Sequence, residues 1–217
     1  MSIAEKITTI ANNVPLVFEA GKQAEYDSFW NGFLQNGKRT NYQYAFAFWN
    51  DQIYKPKYVP SPVNANYMFN QSTITNTKIN VDFSKCTNIT YAFIGCYYLK
   101  NIGIVDASLT NGLTYTFSYC RALITIDKLI LKDDGTQSFS NAFLECNKLE
   151  NIIVEGVIGN NISFANSPLN YESLMSIKAA LAQVTTPKTL TLKASSFELL
   201  TQTDKDQIEA KGWTIVS

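Results

Sequence analysis

This 217-residue chain contains no histidine. That removes the commonest general base, the commonest metal ligand, and any nucleophile built on a Ser–His or Cys–His pair. Charge is also scarce. Asp, Glu, Lys and Arg make up 17% of residues, below the usual quarter, and 18 basic side chains balance 18 acidic ones. A neutral chain without a basic surplus lacks the footprint of a nucleic-acid binder. No apolar run approaches the ~20 residues of a membrane-spanning helix, so no membrane insertion is expected. The stretch Met1–Lys6 lacks the uninterrupted apolar segment of a signal peptide. The four cysteines, Cys86, Cys96, Cys120 and Cys146, contain no CxxC pair, which leaves a zinc site without its usual spacing. No cofactor is expected.

What the chain does have is a repeat. Three segments read Phe93-x₂-Cys96-x₂-Leu99-x₂-Ile102, Phe117-x₂-Cys120-x₂-Leu123-x₂-Ile126 and Phe143-x₂-Cys146-x₂-Leu149-x₂-Ile152. The Phe anchors lie 24 and 26 residues apart. A period in the 20s marks a solenoid, in which each coil covers the apolar side of the next. Hydrophobic residues form 46% of the chain, enough for such a core. Within a unit the anchors recur every third residue. An α-helix advances about 100° per residue, so each step of three slips back about 60° and the fourth anchor would face away from the first. A strand needs period two. The segment must therefore bend, through a tight 3₁₀-like turn into a short strand.

The residues before each Phe alternate: Ile89, Tyr91, Phe93; Leu113, Tyr115, Phe117; Phe139, Asn141, Phe143. Alternation predicts a short extended lead-in. The strands after the turns are expected at Leu99–Val105, Leu123–Leu131 and Leu149–Val157. Weaker copies flank the three: Tyr42, Tyr44, Phe46 with Trp49; Ala65, Tyr67, Phe69 with Ser72 and Ile74; and Ile162, Phe164 with Ser167 and Leu169. That makes about six units. Three cysteines share one slot, which reads as a ladder of small buried hydrophobes; disulfides between neighbouring units are the other pairing open to them.

The ends differ from the repeat. Ser2 and Glu5 form a capping-box pattern ahead of Ile3, Ile7, Ile10 and Val14 on one stripe. Pro15 opens a second helix that runs to about Gln35. These helices read as a cap over the first unit or as an oligomerisation or docking segment. Pro56, Pro60 and Pro62 mark a loop. Beyond the repeat, Asn170 caps a helix from Tyr171 to about Ala182, Thr189–Leu192 forms a strand, Thr203 caps a short helix ending at Gly212, and Trp213–Val216 closes as a strand.

The unit resembles the BspA-like leucine-rich repeat family, whose repeats end in an AF-x-x-C-x-x-L core. Ala92-Phe93, Thr116-Phe117 and Ala142-Phe143 carry the match, and the resemblance covers Asn41–Leu169. The layout is also similar to leucine-rich-repeat proteins of phages and prophages of gut Firmicutes. There a start like Ile3–Ala11 with Asn13-Val14-Pro15 precedes a segment like Tyr26–Trp30, and an ending like Ser167-Pro168-Leu169, Lys188–Leu192 and Lys211–Thr214 follows. The resemblance implies an α/β repeat fold: a solenoid with short parallel strands over 41–169, an N-terminal helical cap or attachment segment over 1–40, and a C-terminal helix–strand cap over 170–217. It implies binding to a protein or glycan. Its phage version implies a tail-associated virion protein, held in the bacterial cytoplasm before assembly. Homo-oligomerisation or virion assembly would use the N-terminal helices.

Three function classes follow. The first is a non-catalytic binding or structural module on a virion. The second is a bacterial surface adhesin. The third is a polysaccharide hydrolase or lyase, which needs two carboxylates about 5–10 Å apart. Asp106, Asp127, Glu145 and Glu150 hold different positions relative to their anchors, and Asp133-Asp134-Gly135 reads as a turn, so no enzyme is expected. Candidate binding residues are the variable ones inside the constant frame. Tyr97-Tyr98, Arg121-Ala122 and Asn147-Lys148 lie between Cys and Leu; Lys100, Asn101, Thr125, Asp127, Glu150 and Asn151 lie beside the Leu. Exposed Tyr and Arg are frequent interface anchors, and simple solvation is the alternative reading.

Overall fold

A computed structural model of the chain describes residues 62–74 and 82–217. The N-terminal helices, the unit at Tyr42–Trp49 and the proline-rich segment up to residue 61 lie outside the described residues. The described part holds short parallel strands in two three-stranded sheets, with few helices. The first sheet joins β1 (Asn101–Asp106), β2 (Thr125–Ile130) and β3 (Asn151–Glu155) in that order. The second joins β4 (Ile162–Phe164), β5 (Lys188–Leu192) and β6 (Trp213–Val216). Helix α1 (Tyr171–Ala180) connects β4 to β5; α2 (Ala194–Phe197) and α3 (Gln202–Ala210) connect β5 to β6. No described helix is long and apolar enough to cross a membrane.

All twelve residues of the three Phe–Cys–Leu–Ile sets are buried. Equivalent residues lie against one another. Phe69, Phe93, Phe117, Phe143 and Phe164 form a continuous column of stacked rings, with centroids 5.1, 5.7, 5.5 and 4.6 Å apart. Such pairs add to the stabilisation from area burial alone. Ser72 and Ser167 occupy the cysteine slot in the flanking units and are buried like the thiols.

The lead-in is not extended. Ala92, Ile94, Cys96 and Leu99 each donate an amide three residues back, to Ile89, Tyr91, Phe93 and Cys96. The amides between them, of Tyr91, Phe93 and Gly95, donate instead to Thr114, Thr116 and Ser118 of the next unit. Alternation is therefore real, but it alternates between closing a turn and bonding a neighbour. The fold achieves this with left-handed residues at Tyr67, Tyr91, Tyr115 and Asn141, and again four residues on at Gln71, Gly95, Tyr119 and Glu145. Left-handed backbone costs a non-glycine residue about 1–2 kcal/mol. Ring stacking of Tyr67 on Tyr91 at 4.5 Å, and of Tyr91 on Tyr115 at 5.1 Å, offsets part of that cost. The tyrosines thus sit half-buried at the flank.

The strands start two residues later than expected, after the turn ends at the Leu. In β1 and β2 the three-residue spacing persists: Ile102 and Val105 point inward, as do Ile126 and Leu129, and Ile104 is 58% exposed. In β3 the inward pair is Ile152 and Val154, with ordinary alternation. The difference is absorbed by a register shift between β2 and β3, at Ile126–Leu129, where β2 carries one extra residue.

Helix α1 ends the first sheet. Asn170 caps it, its side chain accepting the Ser173 amide at 2.9 Å. Ser173 and Ser176, one turn apart, accept the amides of Ile152 and Val154 at 2.9 and 2.8 Å. Two hydroxyls thereby occupy the outer edge of β3, which would otherwise present unpaired donors. Helix α3 is capped by Thr201, not Thr203. Thr201 Oγ1 accepts the Asp204 amide and the Asp204 carboxylate accepts the Thr201 amide, a reciprocal box. Both threonines have an aspartate three residues on, Asp204 and Asp206, so the capping-box pattern alone does not choose between them.

Candidate binding surface

The turn between each Cys and Leu is a corner, and its two middle residues face solvent. Tyr97 is 44% and Tyr98 57% exposed, and Arg121, Asn147 and Lys148 are exposed too; Ala122 is half-buried. The corners of three neighbouring units meet around Arg121. Its guanidinium lies 5.8 Å from the Tyr97 ring centre and 5.7 Å from that of Tyr119. Its Nη2 is 3.7 Å from Glu145 Oε2, which also accepts from Asn147 Nδ2 at 3.3 Å. An exposed ion pair of this length adds little stability. Its effect is orientational, because Glu145 and the two rings hold the long arginine side chain flat along the surface. Cation–π contacts at exposed sites contribute about 0.5–1 kcal/mol.

Tyr119 and Glu145 escaped the sequence reading as binding residues: it looked between Cys and Leu and beside the Leu, and weighed Glu145 only as a carboxylate for catalysis. Both fall one residue before the cysteine, in the second left-handed slot, and that backbone turns their side chains to the corner. The signal was present: this slot holds Gly95, Tyr119 and Glu145 in successive units, a variable position beside an invariant one.

The second candidate set divides. Asn101, Thr125 and Asn151 pair in register across the first sheet. Asn151 is committed to the helical end, where its Oδ1 accepts from Asn170 Nδ2 at 2.5 Å. Lys100, Asp127 and Glu150 are exposed, and the carbonyls of Lys100 and Glu150 bond the chain that follows. Beside Asp127, Lys128 Nζ pairs with Glu155 Oε1 at 2.5 Å. This set is therefore partly structural, whereas the corner set projects from a finished frame.

The thiols are not chemical candidates. Cys96, Cys120 and Cys146 are free and buried, and their Sγ atoms donate to the carbonyls of Phe69, Phe93 and Phe117 at 3.1 Å each. Burial raises the Cys120 thiol well above its usual range and pushes Cys146 up to about 12. A protonated, buried thiol is inert as a nucleophile. Compared with known proteins, the chain matches no family model, no curated protein and no solved structure.

Proposed function

We propose that the chain is a non-catalytic binding module of a phage or prophage virion. In this reading, residues 41–169 form a BspA-like leucine-rich-repeat solenoid, with 1–40 and 170–217 as its caps. The corner of Tyr97, Tyr98, Arg121 and Lys148 meets a protein or glycan partner. One observation carries the proposal: in each unit the identical residues are buried and the variable corner residues, Ala122 apart, are exposed, so the contact surface changes without cost to the core. The rings of Tyr97 and Tyr98, with an oriented arginine, have the composition of interface anchors. The virion assignment draws its support from the resemblance of the two ends of the chain to phage proteins.

The test has two arms. Purified particles from the source organism are probed with an antibody against this chain; absence from particles, with display on the producing cell, overturns the virion reading in favour of an adhesin. A Tyr97→Ala/Tyr98→Ala/Arg121→Ala variant is compared with wild type for binding to host cells. Loss of binding at an unchanged melting temperature is expected, and undiminished binding overturns the corner.

A further inference from the structure

The flank of each unit carries a second pattern. Positions 64, 88, 112 and 138 hold Asn, Asn, Gly and Ser, and two residues on stand Asn66, Thr90, Thr114 and Ser140. Every one is uncharged, and all but the glycine carry a polar side chain. At two steps the flank is closed. Asn64 bridges Asn88, with the Ala65 amide donating to Asn88 O at 2.8 Å; Gly112 bridges Ser138, with the Leu113 amide donating to Ser138 O at 2.8 Å. Between Asn88 and Gly112 there is neither bridge nor bond, and the amide of Ile89, the counterpart of Ala65 and Leu113, goes without that partner.

The cause is local. Gly112 has φ +156°, and a Cβ there would lie 2.4 Å from Ser138 O. At this φ the Gly112 backbone lies against Ser138 where a side chain would not fit, and it forms no bridge on its Asn88 side. Thr116 stands where the neighbouring units have Ala92 and Ala142, and its hydroxyl donates to Ile89 O at 3.1 Å. The gap is thus closed toward the core by Thr116 and closed beyond by the Tyr91 amide on Thr114 O at 3.1 Å. What remains is a cavity of about 240 Å³ open to solvent, lined by Thr87, Asn88, Thr90, Asn111, Gly112 and Thr114.

We infer that this gap is a binding site for one neutral sugar ring. No charged side chain lines it, so an ionic ligand finds no counter-charge. An apolar ligand would bury amides and hydroxyls without partners, at a cost. The Thr90 and Thr114 hydroxyls and the Asn111 side chain make no hydrogen bond among the described residues, and both donate and accept. Together with the Ile89 amide beside the lining, which has no backbone partner among the described residues, they suit a ring bearing several hydroxyls. The volume falls below the ~300–1,000 Å³ of pockets for larger ligands, which limits the occupant to a single ring. The site is separate from the corner residues, and does not depend on the corner being a contact surface.

The test is an amide-resolved NMR titration of the full chain with glucose, galactose and N-acetylglucosamine in turn. Saturable shifts with at least one sugar, largest at Ile89 and Thr114, are expected. Thr90→Val/Thr114→Val should weaken binding by about tenfold or more, since each replacement removes one hydroxyl at constant shape. Asn111→Ala, at an exposed position, provides the same test should the double variant fail to fold. Tyr98→Ala should leave the affinity unchanged. Three results would overturn the proposal: no saturable shift with any sugar, the mark of a gap filled by water only; affinity unchanged by the valine and alanine replacements; or shifts centred on Tyr97 and Tyr98.

Discussion

The two sheets of this protein reach parallel pairing by different routes. The second sheet follows ordinary α/β practice. Its strands are joined through helices, of which α1 and α3 carry side-chain caps, and its core face alternates, as with Leu190 and Leu192. The first sheet has no helix between its strands. Tight turns connect them, and the Phe anchor of each turn stacks on its counterpart in the next unit. In the helical region specificity comes from single, non-repeating contacts, such as Trp213 Nε1 on Ala182 O and Lys211 Nζ on the carbonyls of Lys178 and Leu181 at the end of α1. In the turn-built region it comes from repetition. Stability is therefore shared along columns in one and concentrated in individual contacts in the other. Phe164 belongs to both, stacking on Phe143 and lying in β4.

The largest expected effect tests the column. Phe117→Ala removes a ring stacked on both sides and should cost about 3–5 kcal/mol. Trp213→Ala should cost a similar amount in the helical region. Because Phe164 ties the two, denaturant unfolding is expected to stay a single transition in both variants; two separated transitions in either would break the continuity argued for Phe164. Leu123→Ala, inside one unit, should cost about 2–5 kcal/mol by the same measurement.

A smaller effect belongs to the helical region alone. Thr201→Ala should cost about 1 kcal/mol through loss of the α3 cap. The same cap confers a pH dependence. Hydrogen bonds from Lys178 Nζ at 2.6 Å, and then from Thr201, hold the Asp204 carboxyl well below the usual carboxylate range. A group with a depressed folded pKa stabilises the fold above its unfolded value, about 4, and that contribution is lost as pH falls toward the folded value. Melting temperature followed from pH 6 down to pH 2 should therefore drop less steeply in Asp204→Asn than in wild type. Parallel curves for the two proteins would remove Asp204 as the acid-sensitive contact.

The smallest effect is expected at the corner. Tyr98→Ala should change stability by less than about 0.5 kcal/mol, because the ring is mostly in water. Equal destabilisation by Tyr98→Ala and Leu123→Ala would erase the distinction between frame and surface on which the proposed function rests.

The buried anchors were legible because they repeat at a fixed spacing. So were short parallel strands with few helices, the Asn170 cap, and the strands at Thr189–Leu192 and Trp213–Val216. The lead-in was misread for a physical reason. Tyrosine favours strands, and nothing in an alternating Ile-x-Tyr-x-Phe announces that the tyrosine is left-handed; its stack with the neighbouring unit's tyrosine, which offsets part of the cost, is visible only in the fold. The three-residue spacing inside β1 and β2 was invisible likewise, and its mismatch with β3 appears only where β2 meets that strand, as a bulge. Of the surface, the corner residues between Cys and Leu could be named from variation within a constant frame. Their organiser, Arg121 held by Tyr119 and Glu145, could not, because it is assembled from three units. Thr116 was visible as a departure from alanine, but its meaning required the carbonyl of Ile89.

The column of thiols has a use of its own as a set of chemical clocks. Each of Cys96, Cys120 and Cys146 reports on one unit, Ser72 and Ser167 leave that slot silent in the flanking units, and the fourth buried thiol, Cys86, stands outside the column. A thiol-alkylating reagent can reach a given sulfur only when that unit opens and its bond to the Phe carbonyl above breaks. The three column rates, separated from that of Cys86 by mass spectrometry of the digested chain, would therefore give three local opening equilibria in one native molecule, with no mutation.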